Sequence, residues 1–260
     1  MEFLLYLVLG ACAGVLAGLF GVGGGLIIVP VLVFSFTAQG FSPEVLTHLA
    51  VGTSLATIVF TSINSIRAHH QKGAVLWPLV GWMTAGIVVG AALGSLTADW
   101  LQGEVLQMII GVFAICMAIQ MGFNLQPKAT GSVPGKVGLS IAGTVIGWAS
   151  AIFGIGGGSL TVPFLNWRSV PMQKAVATSA ACGLPIAIAG ALSFMLVGMD
   201  APHLPQWSLG YVYLPAVLGI ALTSMFFARF GATLAHRLSP IMLKRLFAVL
   251  LVCVGTNFLI

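Results

Sequence analysis

Four glycines in five positions, Gly21, Gly23, Gly24 and Gly25, interrupt an apolar stretch that runs on to Pro30. Half a chain later the arrangement returns as Gly154, Gly156, Gly157 and Gly158 before Pro163. Glycine tolerates positive φ and close backbone approach, so such a cluster lets a helix break and restart. A helix restarting there offers its first N–H groups unpaired, together with the positive end of its dipole, and that combination holds anions. Small residues also serve helix packing, and Gly14/Gly18 and Gly86/Gly90/Gly94 read that way. Packing alone does not account for clusters this dense, because each glycine costs nearly 1 kcal/mol of helix propensity.

Hydroxyls accompany both clusters. Thr53-Ser54 and Thr178-Ser179 fall at matched positions early in the next apolar run. Each can donate to substrate oxygens without bringing charge, or back-bond to its own helix. Ser159 and Thr161 stand in the second copy where the first has Leu26 and Ile28, so the two half-sites are unequal. Asn64 and Arg67, near the end of the run after the first cluster, are candidates for a gate or a charged rim. The substrate-binding set read from the residues is therefore Gly21, Gly23, Gly24, Gly25, Thr53, Ser54, Gly154, Gly156, Gly157, Gly158, Ser159, Thr178 and Ser179.

Other chemistries lack their residues. No Asp, Glu, Lys or Arg is expected at mid-membrane, where pumps and proton relays usually keep one. His48 and His236 have no spacing partner for a metal and read as loop or interfacial groups. Cys12, Cys116, Cys182 and Cys253 lie in different apolar runs without a CxxC, which argues against a disulfide framework. The first cluster lacks the βαβ setting of a dinucleotide site and the GK[ST] of a P-loop. No catalytic residue, metal site or cofactor is therefore assigned, and the chain does not read as an enzyme.

The elements that position these groups are membrane helices. Apolar residues make up 59% of the 260 and charged ones 6%, against roughly one quarter charged in globular domains. The net charge of +5 belongs to loops that favour the cytoplasmic side and implies no nucleic-acid partner. Residues 1–20 lack a basic leader and a clear cleavage site and are read as a mature span. Stretches long enough to cross the hydrocarbon core run from Phe3 to Pro43, split at the glycines, then Val45 to Ile66, Gly73 to Ala98 and Val105 to Pro127. After a polar connector come Val137 to Trp167, again split, Ala175 to Met199, Ala201 to Ala228, and Leu246 to Ile260 with Pro240 to Leu243 leading in.

Three blocks recur in the same order: the glycine motif, Val51 to Ser54 with Val176 to Ser179, and Gly94 to Met121 with Gly231 to Phe258. The division is a first transmembrane repeat at 1–125, a connector at 126–136 and a second repeat at 137–260. Equivalent loops carry opposite bias. Arg67, His69, His70 and Lys72 face a counterpart with Asp200 and His203, while Asp99 and Glu104 face one with Arg229, His236, Arg237, Lys244 and Arg245. Lys and Arg decide orientation, so the expected fold is an all-α polytopic membrane protein with an inverted repeat. In each half a glycine-broken segment goes down and back and three spans follow. Both termini then lie outside. A parallel arrangement is the competitor.

The paired Gly-x-Gly-Gly-Gly followed by an apolar stretch and proline, in two equivalent halves, resembles the TauE/SafE sulfite exporter family, also called the toluene-sulfonate uptake permease family. The resemblance implies a multi-pass cell-membrane protein that moves sulfite, thiosulfate or an organosulfonate. It implies that Gly21 to Gly25 and Gly154 to Gly158 surround the anion. The expected function is secondary transport by alternating access, with a passive channel or a non-transporting assembly subunit as alternatives. Expected partners are a small anion and membrane lipid. The coupling ion, H+ or Na+, the direction of transport and a homo-oligomeric state are left open.

Overall fold

The computed structural model describes residues 2–20, 25–123, 131–235 and 240–260. Ten helices occur among them: α1 (Glu2–Phe20), α2 (Gly25–Ala38), α3 (Pro43–Gln71), α4 (Trp77–Asp99), α5 (Gly103–Gly122), α6 (Lys136–Phe153), α7 (Gly158–Trp167), α8 (Met172–Val197), α9 (Leu214–Ala235) and α10 (Pro240–Leu259). A short antiparallel hairpin, β1 (Ser208–Leu209) and β2 (Val212–Tyr213), precedes α9, with Ser208 opposite Tyr213. The helices α3, α4, α5, α6 and α8 are each long and apolar enough to cross a membrane. The protein is an all-α polytopic membrane protein.

Prolines mark several helix starts, in the first turn of α3, α4 and α10 and at the N-cap of α8, where the missing N–H removes no intrahelical bond. Glycine ends α6. Gly154 takes the left-handed conformation at φ +64° as its C-cap, and Gly157, at φ +76°, is the N-cap of α7. Tyr6, early in α1, donates its hydroxyl to Gln39 Oε1 just beyond α2, at 2.8 Å, and its ring lies 6.4 Å from Phe36. The second helix therefore returns alongside the first. Ser169, after α7, donates to the Gly131 carbonyl ahead of α6 at 2.9 Å, so α6 and α7 form the same kind of down-and-back pair.

Packing between the two series of five is exchanged. The first helix of each lies along the fourth of the other: α1 against α9, and α6 against α4. Missing side chains allow this closeness. A Cβ on Gly14 would lie 2.7 Å from Ser224 Cα. Gly86 and Gly90 meet the backbone of Ser140 and Thr144, and Gly143 and Gly147 meet that of Met83 and Ile87. In lipid no hydrophobic force joins helices, and such contacts carry the association. The pairs α5/α10 and α3/α8 complete the bundle.

Contacts sort the charges onto two ends. Gly103, at the start of α5, abuts the Pro43 and Glu44 carbonyls; Glu44 meets His203 at 3.3 Å; and His48 reaches the Ala98 carbonyl beside Asp99. That end holds Glu44, Asp99, Glu104 and Asp200. At the other, Lys136 lies 4.7 Å over the Trp82 ring near the start of α4, which follows Lys72, and Arg168 stacks on Trp167 at 4.1 Å. The Leu76 N–H bonded to Thr178 ties the start of α4 to that of α8, where Lys174 lies.

Three elements differ from the sequence reading. Helix α3 does not stop at Ile66. It continues through Gln71, so Arg67, His69 and His70 ride on its last turns rather than in a loop. The span expected from Ala201 starts only at Leu214, because Pro202 and Pro205 interrupt the segment and Gly210 turns a hairpin at φ +53°. The last helix begins at Pro240 rather than Leu246.

Candidate functional site: the glycine break in the bundle interior

One face of α3 organises the site. Val51, Ser54, Ile58 and Ser62 recur at three- and four-residue spacing, which places them on a common face. All four are buried. Gly154 packs on Val51, where a Cβ would come 3.3 Å from its Cα, and Ser54 donates its hydroxyl to the Gly154 carbonyl at 2.8 Å. Farther along, a Cβ on Gly156 would lie 3.0 Å from Ile58 Cγ2. Gly183 of α8 lets the Gly156 carbonyl approach: a Cβ there would lie 2.6 Å from Gly156 O and 3.5 Å from Ser62 Oγ. At 1.5 Å per residue the break sits about 12–22 Å along a helix about 43 Å long, which is membrane-interior depth.

The two glycine clusters meet there. A Cβ on Gly25, the first residue of α2, would lie 2.7 Å from both Gly154 O and Ile155 Cα. Gly21, Gly23 and Gly24 lie outside the described residues. Leu26, Ile27 and Ile155 share a buried cluster with Ala114 and Met117 of α5 and Phe247 and Leu251 of α10, and the Phe113 and Phe153 rings stack at 3.8 Å. Apolar walls therefore surround the polar backbone.

The start of α7 leaves backbone donors unpaired within the helix. Leu160 and Thr161 both donate to the Gly157 carbonyl, at 3.1 and 2.7 Å. The N–H groups of Gly158 and Ser159 precede them and have no intrahelical acceptor. Four hydroxyls are buried and without a hydrogen-bond partner: Ser159 and Thr161 in the first turn of α7, Ser150 one turn before Gly154, and Ser179 on α8, one turn before the Gly183 that meets the Gly156 carbonyl. Each unmet buried hydroxyl costs about 1–3 kcal/mol. Hydroxyls of this kind can donate to acceptor oxygens without bringing charge. No Asp, Glu, Lys or Arg belongs to this set, and no group of three metal-ligating side chains occurs among the described residues.

The threonines do something else. Thr53 Oγ1 accepts the Tyr213 N–H at 2.9 Å, and Thr178 Oγ1 accepts the Leu76 N–H at 3.1 Å. Tyr213 and Leu76 immediately precede α9 and α4, so each threonine holds the start of the fourth helix of the other series. Neither hydroxyl is back-bonded to its own helix. Asn64 and Arg67 are exposed on the surface of α3, beyond Ser62 toward the basic end, outside the buried hydroxyl set.

Sequence reading missed Ser150, Ile58, Ser62 and Gly183. Ser150 carried a signal: its counterpart in the first half is Ala17, so it joins Ser159 and Thr161 as a polar group confined to the second copy. Gly183 and Ile58 carried none, since their partners are far away in sequence.

A family model described as sulfite exporter TauE/SafE matches residues 6–258. The chain is 39% identical over 255 residues, covering 98% of it and 97% of the relative, to a probable membrane transporter protein of Haemophilus influenzae. It is 30% identical over its full length to a probable membrane transporter protein of Methanocaldococcus jannaschii, covering 97% of that protein. A Bacillus subtilis probable membrane transporter protein is 26% identical over 280 residues, covering 98% of that relative. No solved structure matches.

Proposed function

The chain belongs to the sulfite exporter TauE/SafE family and is a multi-pass membrane transporter, and from that premise we propose that it carries a small sulfur-containing oxyanion across the cell membrane by alternating access. Sulfite, thiosulfate and short organosulfonates all present a compact set of acceptor oxygens with delocalised negative charge. The observation that carries the reading is the start of α7, where free N–H groups meet the partnerless, buried hydroxyls of Ser159 and Thr161. Neutral donors and a helix dipole favour an anion without fixing a countercharge beside it, which lets the anion leave again. Gly21, Gly23 and Gly24 complete the site from the first half in this reading.

The exchanged packing and the down-and-back pairs support an inverted repeat. Two five-helix series, at 1–125 and 137–260, rock against each other about the glycine breaks. With Lys and Arg favouring the cytoplasm, the end bearing Lys72, Lys136, Arg168 and Lys174 faces inward and both termini face out.

The test is thermal stabilisation of the detergent-purified protein by sulfite, sulfate, thiosulfate, sulfoacetate, taurine and chloride. A ligand bound only by the folded state adds about 2.7 kcal/mol at a hundred times its Kd. A selective rise with one sulfur oxyanion is the expected result. Equal response to chloride, or none to any sulfur oxyanion, would remove the substrate assignment.

A further inference from the structure

His48 is a buried titratable group that the anion site does not use. It lies in the second turn of α3, 3% exposed, with Nε2 at 2.8 Å from the Ala98 carbonyl. A carbonyl only accepts, so Nε2 carries the hydrogen and Nδ1 presents a bare lone pair. Nδ1 is buried and has no partner. The ring is covered by Tyr211 at the hairpin turn, with centroids 5.0 Å apart and planes 27° off parallel.

That hairpin is a plug on α3. Tyr211, Val212 and Tyr213 are all buried. The Tyr211 carbonyl fits against Gly52, where a side chain would collide with it, and the Tyr213 N–H is held by Thr53. Ser54, bonded to the glycine break, is the next residue. The hairpin therefore covers α3 at His48, Gly52 and Thr53, and lifting it would uncover His48.

We propose that His48 is a proton-binding site, and that its protonation at the acidic end releases the 208–213 hairpin from α3 and so couples transport to a proton gradient. A proton from solvent would make Nδ1 a donor with no acceptor, in a buried place where an uncompensated charge is costly. The stacked Tyr211 ring compensates in part. In the opened arrangement Nδ1–H reaches water, so the proton favours opening. Tyr211 is stacked on His48, and the other charged and titratable groups at this end are Glu44 one turn back on α3, Asp99 ending α4, Glu104 in the first turn of α5, and His203, which pairs with Glu44. Burial, reinforced by the negative charge of Asp99, favours the protonated Tyr211 phenol, which relates that carboxylate to the plug.

The coupling to transport rests on the function proposed above; the release of the hairpin does not, and its test needs no substrate. In a background with Cys12, Cys116, Cys182 and Cys253 replaced, Val212→Cys is buried and Trp207→Cys, at a position 76% exposed, is the reference. The readout is the ratio of their reaction rates with a charged methanethiosulfonate, from about pH 8 to about pH 5.5, where imidazole changes charge. The ratio is expected to rise about tenfold as the population shifts toward the open arrangement. In His48→Gln, which keeps an N–H donor for Ala98, it is expected to stay flat. An equal rise in His48→Gln, or no rise with His48 present, would overturn the proposal. Hydrogen exchange of residues 208–213 in the unsubstituted protein, corrected for intrinsic pH dependence, checks the same opening. Loss of protection at the lower pH is expected, and unchanged protection would overturn the proposal.

Discussion

Ser54 and Ser179 occupy matched places, each just after a threonine that holds a distant helix start, yet only one of them is hydrogen-bonded. Ser54 is fully buried and donates to the Gly154 carbonyl at 2.8 Å; Ser179 is 1% exposed and without a partner. We predict opposite consequences of the same substitution. Ser54→Ala breaks a bond between α3 and the glycine break and strands a buried carbonyl, a loss of about 1–3 kcal/mol. For a chain of this size that lowers the melting temperature by on the order of 2–4 °C per kcal/mol. Ser179→Ala removes an unmet buried hydroxyl and raises the stability of the ligand-free protein by up to about 1–3 kcal/mol. With an anion bound Ser179→Ala becomes costly as well, since a hydrogen bond to a charged group is worth about 1.5–3 kcal/mol, and its loss weakens binding roughly 10- to 150-fold. The assay is tryptophan-fluorescence melting in detergent across a sulfite titration. Equal destabilisation of the two ligand-free variants would refute the assignment of their different roles. An unchanged sulfite response in Ser179→Ala would remove that hydroxyl from the site.

Further outcomes follow from named contacts. Gly154→Ala forces a side chain into φ +64° with Val29 Cγ2 only 2.6 Å from the new Cβ. About 1–2 kcal/mol of backbone strain adds to that clash, and the melting temperature falls even without ligand; an unperturbed melt would contradict the described break. Thr53→Val and Thr178→Val each strand one backbone N–H, for about 1–3 kcal/mol apiece; proteolysis in the 208–213 and 72–77 segments respectively reports the loss, and unchanged cleavage in both would count against the capping role. Burial, reinforced by Asp99, pushes the Tyr211 phenol up to about 12. A group held protonated more tightly when folded contributes stability that is intact below about pH 10 and is lost as the pH rises through the folded value. Alkaline unfolding is therefore expected between those limits and should weaken in Tyr211→Phe; identical alkaline transitions would refute the link.

Much of this architecture was legible because it is written in local signals. Long uncharged runs gave the helices, prolines and glycines gave their ends, and the two glycine clusters drew attention to the segment that lies against α3. What stayed hidden depends on partners far away in sequence. Nothing near Thr53 or Thr178 says that each will accept an N–H from the far series. Charge suggested a loop at Arg67 to Lys72, but long side chains can ride on a helix whose end has left the bilayer. Residues 201–213 are apolar enough to resemble a span, and only the prolines and the turn at Gly210 betray the hairpin. His48 looked interfacial because a lone histidine in sequence does not reveal that Ala98 and Tyr211 enclose it.

The most direct test of the account is counterflow of radiolabelled sulfite into proteoliposomes preloaded with unlabelled sulfite, comparing the native chain with Gly157→Leu. A side chain at Gly157 would collide with Ile186 and crowd Thr161 Oγ1, filling the start of α7. We predict transient, saturable accumulation by the native protein, competed by thiosulfate or a sulfonate but not by chloride. Gly157→Leu should abolish it while still purifying as a monodisperse membrane protein. Counterflow of equal size in the folded variant would contradict the placement of the anion at the glycine break, and flux that neither saturates nor shows counterflow would mark a channel instead of a carrier.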